Sequence, residues 1–207
     1  MIIGIPVYDK VDLLDVTGPH EILGWMDQPK ADIRIIADKP REVVTRDGFK
    51  FKADYGYADI EALDVLWVPG GDPGALAVLM SGPPAYRDFL VRVAEHARYV
   101  CSVCEGAMLL AAAGLLDGYE ATTHWAFVPC LKKFPKIKVV EGHPRFVVDR
   151  NRLTGGGISS GLDEALKLVE LIAGYEQAQD VQRTTQYYPD PPVASMLPEA
   201  KSCPFTW

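Results

Sequence analysis

The sequence predicts an α/β protein, a single-domain sandwich in which helices flank a mostly parallel central sheet. Short apolar runs typical of buried strands alternate with helical stretches along the chain. No repeat, linker or second domain divides the 207 residues, a length that one sizeable α/β domain can fill. At one point an apolar strand, residues 99–103, turns abruptly into a helix-forming stretch, residues 107–116.

Cys104 stands at this corner between strand and helix. A sharp strand-to-helix turn that displays a nucleophile is a nucleophile elbow, here with cysteine in place of serine. Gly106 and Ala107 are small enough to let the backbone pack closely. The following helix points its N-terminal dipole at the sulfur, which favours the thiolate. The alternative is a buried structural thiol, since free cysteine is among the most buried residue types.

Cys101 raises a second alternative, a Cys-x-x-Cys redox pair with Cys104. Residues three apart on a strand have Cα atoms about 10 Å apart, whereas a disulfide needs less than about 7 Å. If Cys101 lies on the strand, the pair cannot close and Cys101 belongs to the core.

Composition excludes several classes of protein. The chain is 48% hydrophobic, has a net charge of -7 and contains no basic run, which argues for a globular protein without a nucleic-acid partner. The N-terminus lacks a signal-peptide pattern, and the longest apolar helical run, residues 108–116, is too short to span a bilayer. Four cysteines without a second metal-type pair suggest a reducing cytoplasm and no zinc site. We expect neither a metal nor a cofactor.

The first strand, residues 2–8, leads to a helix predicted from Thr17 to about Met26, with Pro19 near its first turn. Asp15 then lies on a loop just after that strand. In a parallel sheet this is the carboxyl edge, where sites form. The alternative for Asp15 is a helix-start carboxylate stabilised by the helix dipole.

Gly70 and Gly71 follow a buried strand predicted at residues 64–68. The elements predicted up to the elbow are a strand at 32–37, a hairpin of 43–45 and 49–52 about Asp47-Gly48, a strand at 64–68, and helices at 75–80 and 86–97. Paired glycines after a strand leave backbone N–H groups accessible to a ligand, or form only a tight turn. A phosphate loop matches poorly, because no Gly-Lys-Ser/Thr follows.

His124 ends a short strand that follows the elbow helix. The remaining predicted elements are a helix at 127–134, strands at 137–140 and 145–148, a turn at 149–151 toward Leu153, and helices at 160–173 and 175–187. Gly174 is the expected stop between the last two helices. From Pro189 the proline-rich sequence predicts an irregular tail.

Several motifs now stand in one order and at one spacing. They are Leu14-Asp-Val-Thr-Gly-Pro19, Val68-Pro-Gly-Gly71, Ser102-Val-Cys-Glu-Gly-Ala107, Ala121-Thr-Thr-His-Trp125 and Leu153-Thr-Gly-Gly-Gly157. Together they resemble the ThiJ/PfpI superfamily, which has a flavodoxin-like, class I glutamine amidotransferase-like fold, and within it the isonitrile hydratase branch. The resemblance covers about residues 1–190 and leaves 191–207 as the tail. That branch also includes the N-terminal domains of some AraC-type regulators, whose DNA-binding domain this chain is too short to hold.

The resemblance implies a set of site residues. Cys104 takes the place of the family's nucleophile, and Asp15 that of the carboxylate that touches it. The backbone N–H groups of Gly71 and Glu105 correspond to the oxyanion donors. His124 occupies the family's histidine position, with a histidine bonded only to backbone as the alternative. The resemblance also implies a homodimer.

Glu105 departs from the pattern, because the hydratases carry threonine directly after the nucleophile. An ionised carboxylate only accepts hydrogen bonds and raises the pKa of a neighbouring thiol. Three close acidic groups, those of Asp15, Cys104 and Glu105, cannot all ionise cheaply, so we expect them to hold at least one shared proton near neutral pH.

The function expected from the resemblance is that of a hydro-lyase, cysteine-dependent hydration of isonitriles to N-substituted formamides. One alternative is a glyoxalase- or hydrolase-like enzyme that acts on small carbonyl compounds. Another is a non-enzymatic redox or stress sensor that uses oxidation of Cys104.

Overall fold

The computed structural model describes residues 1–205 and contains a central seven-stranded sheet. Its strands are β1 (Ile2–Pro6), β2 (Asp32–Ala37), β5 (Tyr55–Gly56), β6 (Val65–Val68), β7 (Tyr99–Ser102), β10 (Phe146–Asp149) and β11 (Arg152–Gly155). They lie in the order β10-β11-β7-β6-β1-β2-β5. Only the β10–β11 pair is antiparallel. The predicted mostly parallel sheet is confirmed.

Two small two-stranded ladders lie outside this sheet. β3 (Arg41–Val44) and β4 (Lys50–Ala53) form the predicted antiparallel hairpin, and Gly48 in its turn has a φ of 85°. Such a positive φ is readily adopted only by glycine, which explains the Asp-Gly signal. β8 (Glu120–Ala121) and β9 (Lys138–Val139) pair in parallel.

Helices flank the sheet. They are α1 (Leu13–Gly24), α2 (Pro73–Ser81), α3 (Ala85–Ala94), α4 (Gly106–Ala112), α5 (Val128–Leu131), α6 (Ser160–Ala173) and α7 (Tyr175–Thr184), with short 3-10 helices at Tyr57–Asp59 and Trp125–Phe127. α1 packs against α6, while α2 and α3 pack against α4. Within residues 1–205, no helix combines the length and apolar character needed to cross a membrane.

The strands that carry the site are covered on both faces. All four residues of β6 are buried, and Trp67 and Leu66 are fully so. This is the environment of central strands in a parallel sheet, which explains their continuous apolar sequence. β1, β6 and β7 are neighbours and parallel, so the loops after them meet at one edge of the sheet.

Asp15 lies in the first turn of α1 and not on a loop, because the helix begins at Leu13. Pro19 therefore sits inside the helix, where its missing N–H leaves the carbonyl of Asp15 without the usual partner. The indole Nε1–H of Trp67 donates to that carbonyl at 3.1 Å. A contact with a residue 52 positions away thus makes the internal proline tolerable.

The tail forms no helix or strand between Pro189 and Phe205, as predicted. A disulfide joins Cys203 in the tail to Cys130 in α5, and the ring of Phe205 lies 5.0 Å from that of Phe127. The sequence analysis did not predict this disulfide, because its two cysteines are separated by 73 residues and share no local pattern. A domain boundary near residue 190 stays a prediction.

Candidate active site

Cys104 occupies the turn between β7 and α4 and has a φ of 57°. This left-handed conformation is uncommon for a residue with a side chain and is the strained geometry of a nucleophile elbow. Two bonds hold it: the Cys104 N–H donates to the carbonyl of Gly156, and the Thr123 hydroxyl donates to the Cys104 carbonyl, each at 2.8 Å. The predicted elbow is confirmed.

Two glycines make room for the turn. A Cβ on Gly70 would lie 2.6 Å from Oε2 of Glu105 and 2.8 Å from Cβ of Cys104. A Cβ on Gly106 would overlap the carbonyl oxygen of Val68. The loop after β6 and the start of α4 therefore approach each other more closely than any other residue would allow.

Cys101 belongs to the core, as predicted. It is fully buried on β7, where it lies opposite Trp67 on one side and Leu153 on the other. Both it and Cys104 are free thiols. Burial raises the pKa of Cys101 well above its ordinary value, so it remains a thiol.

The sulfur of Cys104 is almost enclosed, with the residue 1% exposed. Burial is the largest cause that raises its pKa, followed by the charges of Asp15 and Glu105 and a hydrogen bond to the Glu105 side chain. Only the backbone N–H of Ile158 acts in the opposite direction. The helix dipole alone predicts a thiolate, but burial and the two carboxyl groups outweigh it here.

Glu105 turns its carboxyl toward the site, with the residue 5% exposed. Burial raises its pKa to about 7, against the favourable contact with Cys104 and the nearby N–H groups of Glu105 itself and Gly71. These are the two N–H groups that the resemblance assigns to an oxyanion. The Glu105 carboxyl therefore lies at the place where such an oxyanion would be stabilised.

Asp15 is fully buried. Its Oδ2 accepts from the Gly70 N–H at 2.9 Å, while its Oδ1 has no hydrogen-bond partner among residues 1–205. Burial, followed by the charge of Asp12, raises the pKa of Asp15 well above its ordinary value. A protonated Asp15 beside a half-protonated Glu105 is consistent with the predicted shared proton. An oxygen of the Glu105 carboxyl lies within 4.8 Å of the Cys104 sulfur.

His124 caps the 3-10 helix that follows β8. Its Nδ1 accepts from the Ala126 N–H at 3.2 Å and lies 4.0 Å from Oε1 of Glu105. Burial lowers the pKa of His124, so the ring is neutral with its proton assigned to Nε2. The backbone-bonded alternative describes its contacts, and the ring also borders the site.

Asp12 is a site residue that sequence analysis missed. It is 4% exposed and forms an ion pair with Arg46 at 3.0 Å. Its charge raises the pKa of both Asp15 and Glu105. The spacing Asp12-x-x-Asp15 was the available signal, since residues three apart lie on one face of a helix. Tyr8, whose hydroxyl donates to the Pro69 carbonyl at 3.1 Å, also borders the cluster.

Asp12, Cys104 and Glu105 each offer one metal-ligand atom, and these atoms lie within 4.8 Å of one another. One sulfur and two carboxylates could in principle hold a divalent cation. Here Asp12 is paired with Arg46, and burial raises the pKa of Cys104, which disfavours the thiolate that a metal would need. We therefore assign no metal to these residues.

A cavity of about 310 Å³ opens beside the elbow. Its wall includes Thr123, Gly156 and Ile158, each of which contacts Cys104 through its hydroxyl, carbonyl or N–H group. His124 and Trp125 line the same space. Cys104 itself is not among the lining residues, so the cavity borders the groups that surround the sulfur.

The fold and this site define the class: an α/β protein with a buried cysteine at a sharp strand-to-helix turn. The model of the DJ-1/PfpI family matches residues 2–171, and the chain belongs to that family. It is 38% identical over 197 residues to an isonitrile hydratase from Pseudomonas putida, a match that covers 95% of this chain and 83% of that protein.

Three further proteins are similar to this chain in sequence or in fold. A ThiJ/PfpI family protein from Pseudomonas syringae superimposes with a TM-score of 0.84 at 34% identity, over 93% of this chain and 77% of that one. The transcriptional regulator GbdR of Pseudomonas aeruginosa is 32% identical over 137 residues, which are 66% of this chain but only 36% of the regulator. Drosophila melanogaster DJ-1beta, with a TM-score of 0.77 at 18% identity over 91% of this chain and 98% of that one, shares the fold.

Proposed function

We propose that this protein hydrates isonitriles to N-substituted formamides, with Cys104 as the nucleophile. The observation that carries the proposal is the contact of the elbow cysteine with the Glu105 carboxyl, beside a second buried carboxyl, Asp15. The identity to the Pseudomonas putida isonitrile hydratase supports a small-molecule substrate of this kind.

The reaction requires a base for the thiol and an acid for the isonitrile carbon. Glu105 contacts the sulfur and has a pKa of about 7, so it can take the Cys104 proton at neutral pH. The thiolate then attacks the terminal carbon of R–N≡C, and Asp15, held protonated by burial, supplies a proton to that carbon. The product of this step is a thioimidate, R–N=CH–S–Cys104, whose sulfur is that of Cys104.

Water completes the cycle. The carboxylate that Asp15 has become accepts a proton from the water that attacks the thioimidate carbon. Glu105, which holds the proton taken from Cys104, gives it to the nitrogen of the tetrahedral intermediate. The carbon–sulfur bond then breaks, and the hydroxyl proton of the intermediate passes to the departing sulfur. This leaves R–NH–CHO, the free Cys104 thiol, protonated Asp15 and ionised Glu105, as at the start. The N–H groups of Gly71 and Glu105 would stabilise negative charge in this step, once the Glu105 carboxyl moves aside. His124 would border the substrate through its neutral ring.

We further propose a homodimer in the cytoplasm, on family resemblance. Light scattering at micromolar concentration should give twice the mass of 22.8 kDa. A monomer mass would contradict it.

The decisive experiment follows formamide by NMR after purified protein is mixed with alkyl and aryl isonitriles. We expect steady turnover in the wild type and none in Cys104→Ala. Methylglyoxal and small amides serve as competing substrates. Turnover of those alone would favour the glyoxalase- or hydrolase-like alternative. If no compound is turned over although mass spectrometry shows Cys104 to be reduced, the result would favour the alternative of a non-enzymatic redox sensor.

A further inference from the structure

The chain between α7 and Phe205, which we call the C-terminal strap (residues 189–205), is held at both ends. Just before it, the Tyr187 hydroxyl donates to Oδ1 of Asp163 in α6 at 3.0 Å. At its far end, Cys203 is bonded to Cys130 in α5, and Phe205 packs on the aromatic ring of Phe127 with only 4% of its surface exposed. The strap therefore crosses from α6 to α5.

This crossing passes the cavity beside Cys104. Of the strap residues, Leu197 lines that cavity, together with His124, Trp125 and Ile158. Its neighbour Met196 is 94% exposed and Val193 is 79% exposed, so their side chains point to solvent. Leu197 is itself 52% exposed, but it lines the cavity, whereas Met196 and Val193 do not.

The two anchors also flank the cavity itself. Asp163, which receives the Tyr187 hydroxyl, forms an ion pair with Arg145, a cavity residue. Phe127, which receives Phe205, has its ring 5.9 Å from that of His124, another cavity residue. The strap that carries Leu197 is therefore anchored to residues that contact the cavity lining.

We propose that Leu197 determines how large a substituent the cavity accepts, and that the Cys130–Cys203 disulfide holds it in place for that purpose. The proposal rests on the proposed function for its substrate class, isonitriles with a compact hydrocarbon substituent. Such a substituent would lie against Leu197 in the cavity beside the elbow, since much of the cavity lining is apolar (Leu14, Trp125, Pro144, Ile158). In a pocket of this kind a difference of one methylene changes the specificity by about tenfold or more.

The test compares kcat/KM for methyl, n-butyl and benzyl isonitrile. Leu197→Ala should raise the benzyl-to-methyl ratio by about tenfold, and Leu197→Trp should lower it. Cys203→Ser should act in the same direction as Leu197→Ala. The variant that combines Leu197→Ala with Cys203→Ser should have a benzyl-to-methyl ratio only slightly above that of the more affected single variant, because both changes act on the same wall. Met196→Ala is the matched control and should leave the ratio unchanged.

A second readout does not depend on hydratase activity. The rates at which iodoacetamide and its N-benzyl derivative alkylate Cys104, followed by peptide mass mapping, report how large a group the cavity admits through an unrelated reaction. The ratio of the two rates should follow the order Leu197→Trp, wild type, Leu197→Ala. Site mapping keeps Cys130, freed in Cys203→Ser, out of the measurement.

The outcomes separate the two proposals. Size discrimination in alkylation without turnover of any isonitrile would support the role of Leu197 and contradict the hydratase function. Turnover with both ratios unchanged in Leu197→Ala and Leu197→Trp would overturn the role of Leu197. If only Cys203→Ser leaves the ratios unchanged, the disulfide has no part in holding the wall.

Discussion

The backbone N–H of Gly70 donates a hydrogen bond to Oδ2 of Asp15 at 2.9 Å. Among residues 1–205 this is the only hydrogen bond that the Asp15 carboxyl makes. The bond joins the loop after β6 to the first turn of α1. It leaves Oδ1 free to carry the proton that burial keeps on the group. Asp15 is thus both fixed in place and held in its acid form.

Asp15→Asn should keep this bond and remove the proton. We expect kcat/KM for isonitriles to fall by about two to four orders of magnitude, the usual contribution of a positioned acid or base. Thermal unfolding should change little, because the amide is neutral like the protonated acid. Asp54→Asn, which alters an exposed carboxylate paired with Lys52, is the control. A fully active Asp15→Asn protein would exclude Asp15 from the proton transfers.

The pKa of Glu105 predicts how stability depends on pH. Its folded pKa of about 7 exceeds the ordinary value of 4.5, so the folded state binds the proton more tightly. The contribution of Glu105 is fully present below about pH 4.5 and is lost as pH rises through about 7. The loss is of order 3 kcal/mol, at 1.36 kcal/mol per pKa unit.

Urea unfolding of wild type and Glu105→Gln between pH 4 and 8 measures this effect. As pH rises, the unfolding free energy of the wild type should fall relative to that of Glu105→Gln. Asp15 acts in the same direction in both proteins, and Glu105→Gln removes only the part of its pKa shift that the Glu105 charge causes. Glu141→Gln, a change at an exposed residue paired with Lys132, should show no such trend. A difference independent of pH would mean that Glu105 has an ordinary pKa.

Three substitutions of Glu105 distinguish its roles in turnover. Glu105→Gln should lower the rate and alter the pH profile of kcat/KM, since the proton acceptor beside the sulfur is lost. Glu105→Thr should retain or raise isonitrile turnover, because a hydroxyl restores the donor found in the hydratases. If Glu105→Ala leaves both rate and pH profile unchanged, the side chain is a bystander.

Cys104 should be the reactive thiol of the protein. Limiting iodoacetamide near neutral pH should label Cys104 in preference to Cys101, which is fully enclosed in β7, and to the paired Cys130 and Cys203. Labelling should be slow and should accelerate with pH, because the pKa of Cys104 is raised. Peptide mass mapping gives the site and rate. Preferential labelling of another cysteine in the folded protein would remove the basis of the mechanism.

Features encoded by neighbouring residues could be predicted from the sequence. The apolar strand, the cysteine and the small residues of the elbow are contiguous, and the Asp47-Gly48 turn carries its own φ requirement. The position of Cys101 in the core followed from strand geometry alone.

What could not be predicted depends on contacts between distant residues. The start of α1 depends on Trp67, which replaces the bond that Pro19 removes. The raised pKa of Cys104 depends on Asp15 and on burial. The disulfide that anchors the tail joins positions 73 residues apart. None of these partners has a local pattern that would identify it.

The positive φ of Cys104 lowers the stability of the folded protein at the residue that the proposed activity requires. A side chain in this region costs about 1 kcal/mol or more, and glycine would avoid that cost. A lineage of this protein released from the need for turnover would therefore gain from losing its nucleophile, and Cys104→Gly should melt at a higher temperature than the wild type. Retention of a cysteine at this position is thus a sign of continuing selection for its chemistry.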